Sequence, residues 1–278
     1  MFPGVDGFHW TFAHIIFLSV FFTVVLTILG TLAAAAVHTA GDLRRGRAVE
    51  ICWKAEFAQL PEAERHCRHE LAGRVAERVC PNAFDCRHCG EYAHYAALPA
   101  GGTGIPACVG QAQTLGLNYP DNRFYHRGHT WVAPQDDGTL MVGLDDLAAR
   151  LVGNPDSLEL PPEGAEIQSD GTAWRMKKNG HTVRVRAPID GAVVETGGPE
   201  KGWYLRLRPH GAADLRHLLR GPEVSPWLAR EIERLQLQLT PPKAGPALAD
   251  GGVLVPGLMD AMPDAEWDTV LAGTFLEA

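Results

Sequence analysis

The sequence predicts an α+β protein built from an N-terminal transmembrane helix, a small helical cysteine-rich unit, a compact all-β unit and C-terminal helices. Three observations carry that prediction. Positions 15–37 contain no charged residue and are mostly Ile, Leu, Val, Phe and Ala. Residues 118–220 are short runs of β-branched and apolar residues parted by Gly, Pro, Asp and Asn clusters, the pattern of a compact all-β unit. Beyond Ser225 the apolar residues recur at three- and four-residue steps, the period of a helix.

The first segment, 1–48, holds the uncharged run, which as a helix spans a hydrocarbon core of about 30 Å. Trp10 is placed to anchor it at the interface. A cleaved secretory signal is the alternative, since Ala33 to Ala36 offer small residues. However, no Lys or Arg precedes the run, and it exceeds an ordinary signal core. Arg44, Arg45 and Arg47 follow it, while Asp6 is the only charged side chain before it. The positive-inside rule then predicts a single-pass protein of the inner membrane with its soluble region in the cytoplasm.

Residues 49–97 form the cysteine-rich unit. Leu60-Pro61-Glu62-Ala63-Glu64 reads as a helix start, with proline in the first turn and acids at the positive dipole end. The helix is expected to run to about Val79, where Cys80-Pro81 stops it. Cys80, Cys86 and Cys89 make a tight knuckle, with Cys67 on the preceding helix and His94 as an alternative ligand. Thiolates two residues apart can share one metal, so Cys67, Cys80, Cys86 and Cys89 are candidate ligands for zinc or an iron–sulfur cluster. The plainer alternative is a set of buried free thiols, and it is the better reading for the isolated Cys52 and Cys108. No βαβ pattern surrounds the set to suggest a thioredoxin-like dithiol, and Gly90 stands where covalent haem attachment needs histidine.

Residues 98–117 read as a turn-rich linker. Its Gly101-Gly102-Thr103-Gly104 follows no strand and leads to no Gly-Lys-Ser/Thr, so it is not a phosphate loop. The β unit, 118–220, contains a hairpin across 174–185, because Asn179-Gly180 supplies the positive φ angles of a type I′ turn. Asp145 and Asp146 can cap the short helix that follows them. Arg175, Lys177, Lys178, Arg184, Arg186, Arg206 and Arg208 put positive charge on the strands, either as a docking patch for an acidic partner or as a solvated face.

Three stretches in this unit resemble a known family: His129-Thr130-Trp131-Val132, Val142-Gly143-Leu144-Asp145 and Ala187-Pro188-Ile189-Asp190-Gly191. They look like the H protein of the glycine cleavage system, a lipoyl-bearing member of the biotinyl/lipoyl β-barrel superfamily, over about a third of the chain. The resemblance implies a barrel-sandwich with His129 packed in the opening strand. It also implies a lipoylated lysine at a hairpin tip, eight residues before the motif's proline. Counting back from Pro188 lands on Gly180, which has no side chain to modify. Lys177 and Lys178 are near but out of register, so lipoate is not expected, and these two lysines are the candidates if it is carried at all.

The last segment, 221–278, opens with Ser225 as N-cap and Pro226 in the first turn. Trp227, Leu228, Ile232, Leu235 and Leu239 then form one apolar stripe. A final helix is expected between Pro263 and Leu276, and a weaker one over 214–220. These stripes pack on the parent domain or dock a protein partner. A net charge of −8 gives no general attraction to nucleic acid. No Gly-x-Ser-x-Gly elbow, nucleotide fingerprint or His-Glu-x-x-His helix appears. The expected function is therefore non-enzymatic: a membrane-anchored H-like scaffold or accessory subunit of a membrane redox or metabolic complex. The alternative is a carrier moving reducing equivalents or aminomethyl groups on lipoylated Lys177 or Lys178.

Overall fold

The computed structural model describes residues 11–44, 57, 60–99, 116–239, 254 and 256–276. The chain divides into two compact units, 1–48 and 49–278. The first unit is α1 (Phe12–Arg44), 33 residues without a break. Its stretch Phe12–Val37 is long and apolar enough to cross a membrane, with none of its most apolar window buried. Its hydroxyls stay inside the helix: Thr23 Oγ1 donates to the Ser19 carbonyl and Thr27 Oγ1 to the Thr23 carbonyl, both at 2.7 Å. The outer surface therefore presents no unsatisfied polar group from these residues.

The second unit is built on two antiparallel sheets. Strands β1 (Phe124–Tyr125), β2 (Thr130–Pro134), β3 (Leu140–Leu144), β5 (Glu166–Ile167), β8 (Gly191–Gly198) and β9 (Trp203–Arg208) form a sheet in the order β1-β2-β3-β9-β8-β5. Strands β4 (Ser157–Glu159), β6 (Thr172–Lys178) and β7 (His181–Arg186) form the other, in the order β4-β6-β7. Register shifts between Val193 and Glu195 and between Thr172 and Trp174 curl the sheets toward each other. Gly143 lies opposite Trp131 in the β2–β3 register, where a Cβ would sit 2.5 Å from the indole. The hairpin closes as the sequence requires: Lys178 pairs with His181 across Asn179 (φ 51°) and Gly180 (φ 84°).

One core joins both sheets to the C-terminal helices. Val142, Leu205, Trp174 and Val183 from the strands share it with Leu235 of α5 (Val224–Leu239) and with Trp267, Val270 and Phe275 of α7 (Trp267–Phe275). The other end of the α5 stripe, Trp227, Leu228 and Ile232, packs with Tyr125, Trp131 and Leu147. Every apolar position of the stripe read from the sequence is buried, so segments 118–220 and 221–278 are one packing unit. Asp145 caps α4 (Asp146–Val152), its carboxylate accepting from the Ala148 N–H at 2.9 Å.

Two expected helices are replaced by irregular structure. In place of a helix from Leu60 to Val79 there is a 3-10 turn, Glu62–Glu64, and one turn of helix, α2 (Arg68–Leu71). Gly73 adopts φ 67° just past α2, and the chain doubles back so that His66 bridges Val79. Cys67 is thus an extended N-cap residue rather than a helical one. Between Asp214 and Arg220 the Asp214 carboxylate takes its own Arg216 N–H at 3.1 Å, and Leu219 pairs with Tyr125. Both bonds draw the backbone out of the helical conformation.

Candidate functional site

The β6–β7 hairpin carries the candidate lysines, and the structure separates them. Strand alternation turns Lys178 inward, where it is 7% exposed, and Lys177 outward. Lys178 Nζ lies 2.9 Å from Asp260 in α6 (Leu258–Ala261). The same helix holds the turn, because Asn179 Nδ2 donates to the Met259 carbonyl and to Asp260 Oδ1, each at 3.2 Å. His181, on the next strand, meets Asp268 at 2.6 Å. The Lys178 and Asn179 contacts hold the Asp260 carboxyl below the usual carboxylate range. The C-terminal helices therefore latch the hairpin. Lys178 is a buried ion-pair partner, whereas the Lys177 side chain is 54% exposed and among the described residues meets only Glu159, at 3.9 Å. Of the residues at this hairpin, Lys177 presents an exposed amine, Lys178 a buried and paired one, and Gly180 no side-chain nitrogen.

The seven basic residues do not make one face. Arg186 is buried and donates to the Leu276 carbonyl at 2.6 and 3.0 Å, and Arg206 is divided between Asp137 and Glu195. Arg175 and Lys177 remain on the outer surface of β6.

The candidate metal ligands are all free thiols, with Cys67 and Cys80 buried and Cys86 and Cys89 half-buried at the ends of a short turn. Cys80 belongs to a small core with Phe57, Phe84 and Leu276. Burial pushes the Cys67 thiol up, and the Cys86 thiol up to about 12. His94 is exposed on α3 (Tyr92–Ala96), its ring edge-on to Tyr95 at 5.0 Å. Among the described residues no group of three or more His, Cys, Asp or Glu side chains is arranged to hold a metal ion, which leaves zinc and iron–sulfur without support in this geometry. Cys52 and Cys108 lie outside the described residues.

His129 is where the structure adds most to the sequence reading. It is fully buried and sits at φ 59°, a conformation that costs a β-carbon-bearing residue energy. Its Nδ1 is 2.7 Å from Asp145 Oδ2, its Nε2 is 3.6 Å from Glu231 on α5, and its ring stacks on Trp227 at 4.9 Å. Burial by itself would lower the imidazole, but the Asp145 carboxylate, joined by Glu231, outweighs it and raises it to about 9. Burial would likewise raise Glu231, yet Arg234 and His129 hold it down at about 2. His129 thus links the start of β2 to the cap of α4 through Asp145 and to α5 through Glu231. No sequence signal marked Glu231, which lies 102 residues from its histidine (231 − 129).

The family profile of the glycine cleavage H-protein matches residues 123–201, the stretch from β1 to the turn before β9. The glycine cleavage system H protein of Alkalilimnicola ehrlichii is 31% identical over 113 residues, covering 36% of this chain and 87% of that protein. Those of Psychrobacter cryohalolentis and Thermus thermophilus are 33% and 32% identical, covering 94% and 90% of their own lengths and 38% and 37% of this chain. A crystal structure of the Mycobacterium marinum H protein aligns with 40% of this chain and 98% of its own at 22% identity and a TM-score of 0.34.

Proposed function

This chain belongs to the glycine cleavage H-protein family, and on that premise we propose that it is a membrane-tethered, non-catalytic member in which the H-type domain serves as a scaffold or accessory subunit of a membrane redox or metabolic complex. Members of the family are carriers rather than enzymes, and they work against protein partners. The observation that carries the scaffold reading is the latch. The residue in register for the swinging arm is Gly180, and the neighbouring Lys178 is paired with Asp260 beneath α6. An arm mounted there would have to break that pair and the two Asn179 bonds to leave the surface. The helix of Phe12–Val37 supports the tether, and the arginines after it support a cytoplasmic placement.

A second reading keeps the carrier role, and the exposure of Lys177 is the observation that favours it. Lipoate on that amine would supply reversible dithiol chemistry; this chain would contribute the strand that presents the lysine and the Glu159 carboxylate beside it. Crosslinking in intact cells, followed by purification from solubilised membranes, separates the two. The scaffold reading expects the same partner to be retained by wild type and by Lys177→Arg. Loss of the partner in that variant would favour the carrier.

A further inference from the structure

A cavity of about 340 Å³ opens beside the His129 cluster, at the small end of ligand-pocket sizes. Its walls mix apolar side chains, among them Leu60, Leu71, Phe84 and Leu276, with the guanidiniums of Arg127, Arg230 and Arg234. Two of these cations are already answered. Arg230 meets Glu70 at 2.9 Å, and Arg234 meets both Glu64 and Glu231. Arg127 is not. It donates from Nη2 to the His66 carbonyl at 2.7 Å and lies 4.0 Å over the Phe84 ring. Among the described residues no carboxylate comes within ion-pair distance of it; the thiols of Cys80, Cys86 and Cys67 and the Glu231 carboxylate act on it from farther off. Glu231, on the same wall, is committed to His129 and Arg234, and Glu233 stands exposed.

Trp227 Nε1, Arg230 Nη1 and Arg234 Nε are buried and find no acceptor among the described residues, and Trp227 is only 2% exposed. Unpaired buried donors are uncommon in folded proteins, and three of them gathered behind one wall set it apart from ordinary packing. The strained backbone of His129 beside the same cavity is a second mark of a functional site rather than of ordinary packing. A half-buried arginine fork in an apolar mouth is the arrangement that takes a carboxylate in two parallel hydrogen bonds.

We propose that this cavity binds a small amphipathic carboxylate, its anionic end seated on Arg127 and its hydrocarbon body against Phe84 and the surrounding leucines. The proposal is independent of whether any lysine is lipoylated. The test is calorimetric titration of the full chain in lipid nanodiscs with hexanoate, 1-hexanol and acetate, against empty nanodiscs. Hexanoate carries both features of the ligand; each of the others carries one. Saturable hexanoate binding at least tenfold tighter than either is expected. Arg127→Met should weaken it by about tenfold to a hundredfold, the range of a lost charge-assisted pair. Leu237→Glu, at an exposed position on the cavity rim, should weaken it severalfold through repulsion while leaving the melting temperature unchanged. That second variant keeps the test decisive if Arg127→Met does not fold. Hexanoate binding no better than hexanol or acetate, or unaltered by Leu237→Glu, would overturn the proposal.

Discussion

Replacing His129 with glutamine should remove a pH-dependent part of this protein's stability, and the structure sets the size of the effect. The imidazole is raised from an ordinary value near 6.5 to about 9 by the carboxylates of Asp145 and Glu231, against the cost of burial. A rise of that extent corresponds to about 3 kcal/mol of preference of the folded state for the charged ring. Because the folded value lies above the unfolded one, the stabilisation is fully present below about pH 6.5 and is lost as pH rises through about 9. The depressed Glu231 owes its shift first to Arg234 and then to this same contact with His129, so the two effects are not added. Urea unfolding of the full chain, followed by tryptophan fluorescence at pH 6.5 and 9.5, reads the effect directly. Wild type should lose about 3 kcal/mol between the two pH values, whereas His129→Gln should start lower and change little. Equal slopes in the two proteins would refute the charged-histidine clamp.

Other outcomes follow from the same contacts. Phe275→Ala, at a fully buried position shared by α7 and both sheets, should cost about 3–5 kcal/mol in the same assay. Glu223→Gln should destabilise the cysteine-rich segment by about 3 kcal/mol, because it leaves the Arg68 and Arg74 guanidiniums without their buried carboxylate; faster amide exchange over residues 60–99 would record it. A carbonate wash should leave the chain in the membrane fraction, while deletion of residues 1–44 should release it.

The fold was legible wherever a local rule decides the backbone. Asn179-Gly180 fixes a two-residue turn, Asp145 caps the helix it precedes, and the period of Trp227, Leu228, Ile232, Leu235 and Leu239 names the buried face of α5. Local rules failed between Leu60 and Val79, where helix-favouring residues lose to Gly73 and to the pairing of His66 with Val79. The site was less legible because its contacts are remote in sequence. Nothing near Lys178 announces Asp260, 82 residues on (260 − 178), and nothing near Arg127 announces that the neighbouring carboxylates are taken by other partners. Cysteine spacing names which thiols could share a metal, but the path of the chain between them decides how the sulfurs are placed.

The account turns on the hairpin tip, and one measurement reaches it most directly. Intact-mass spectrometry of the full chain, expressed with an active lipoylation system and supplied lipoate, reads whether any lysine is modified. The glycine at position 180, where the arm's lysine would stand, predicts the unmodified mass in wild type and, with the Lys178–Asp260 latch opened, in Asp260→Ala alike. A lipoyl adduct that disappears in Lys177→Arg or Lys178→Arg would contradict the scaffold reading and establish the chain as a carrier.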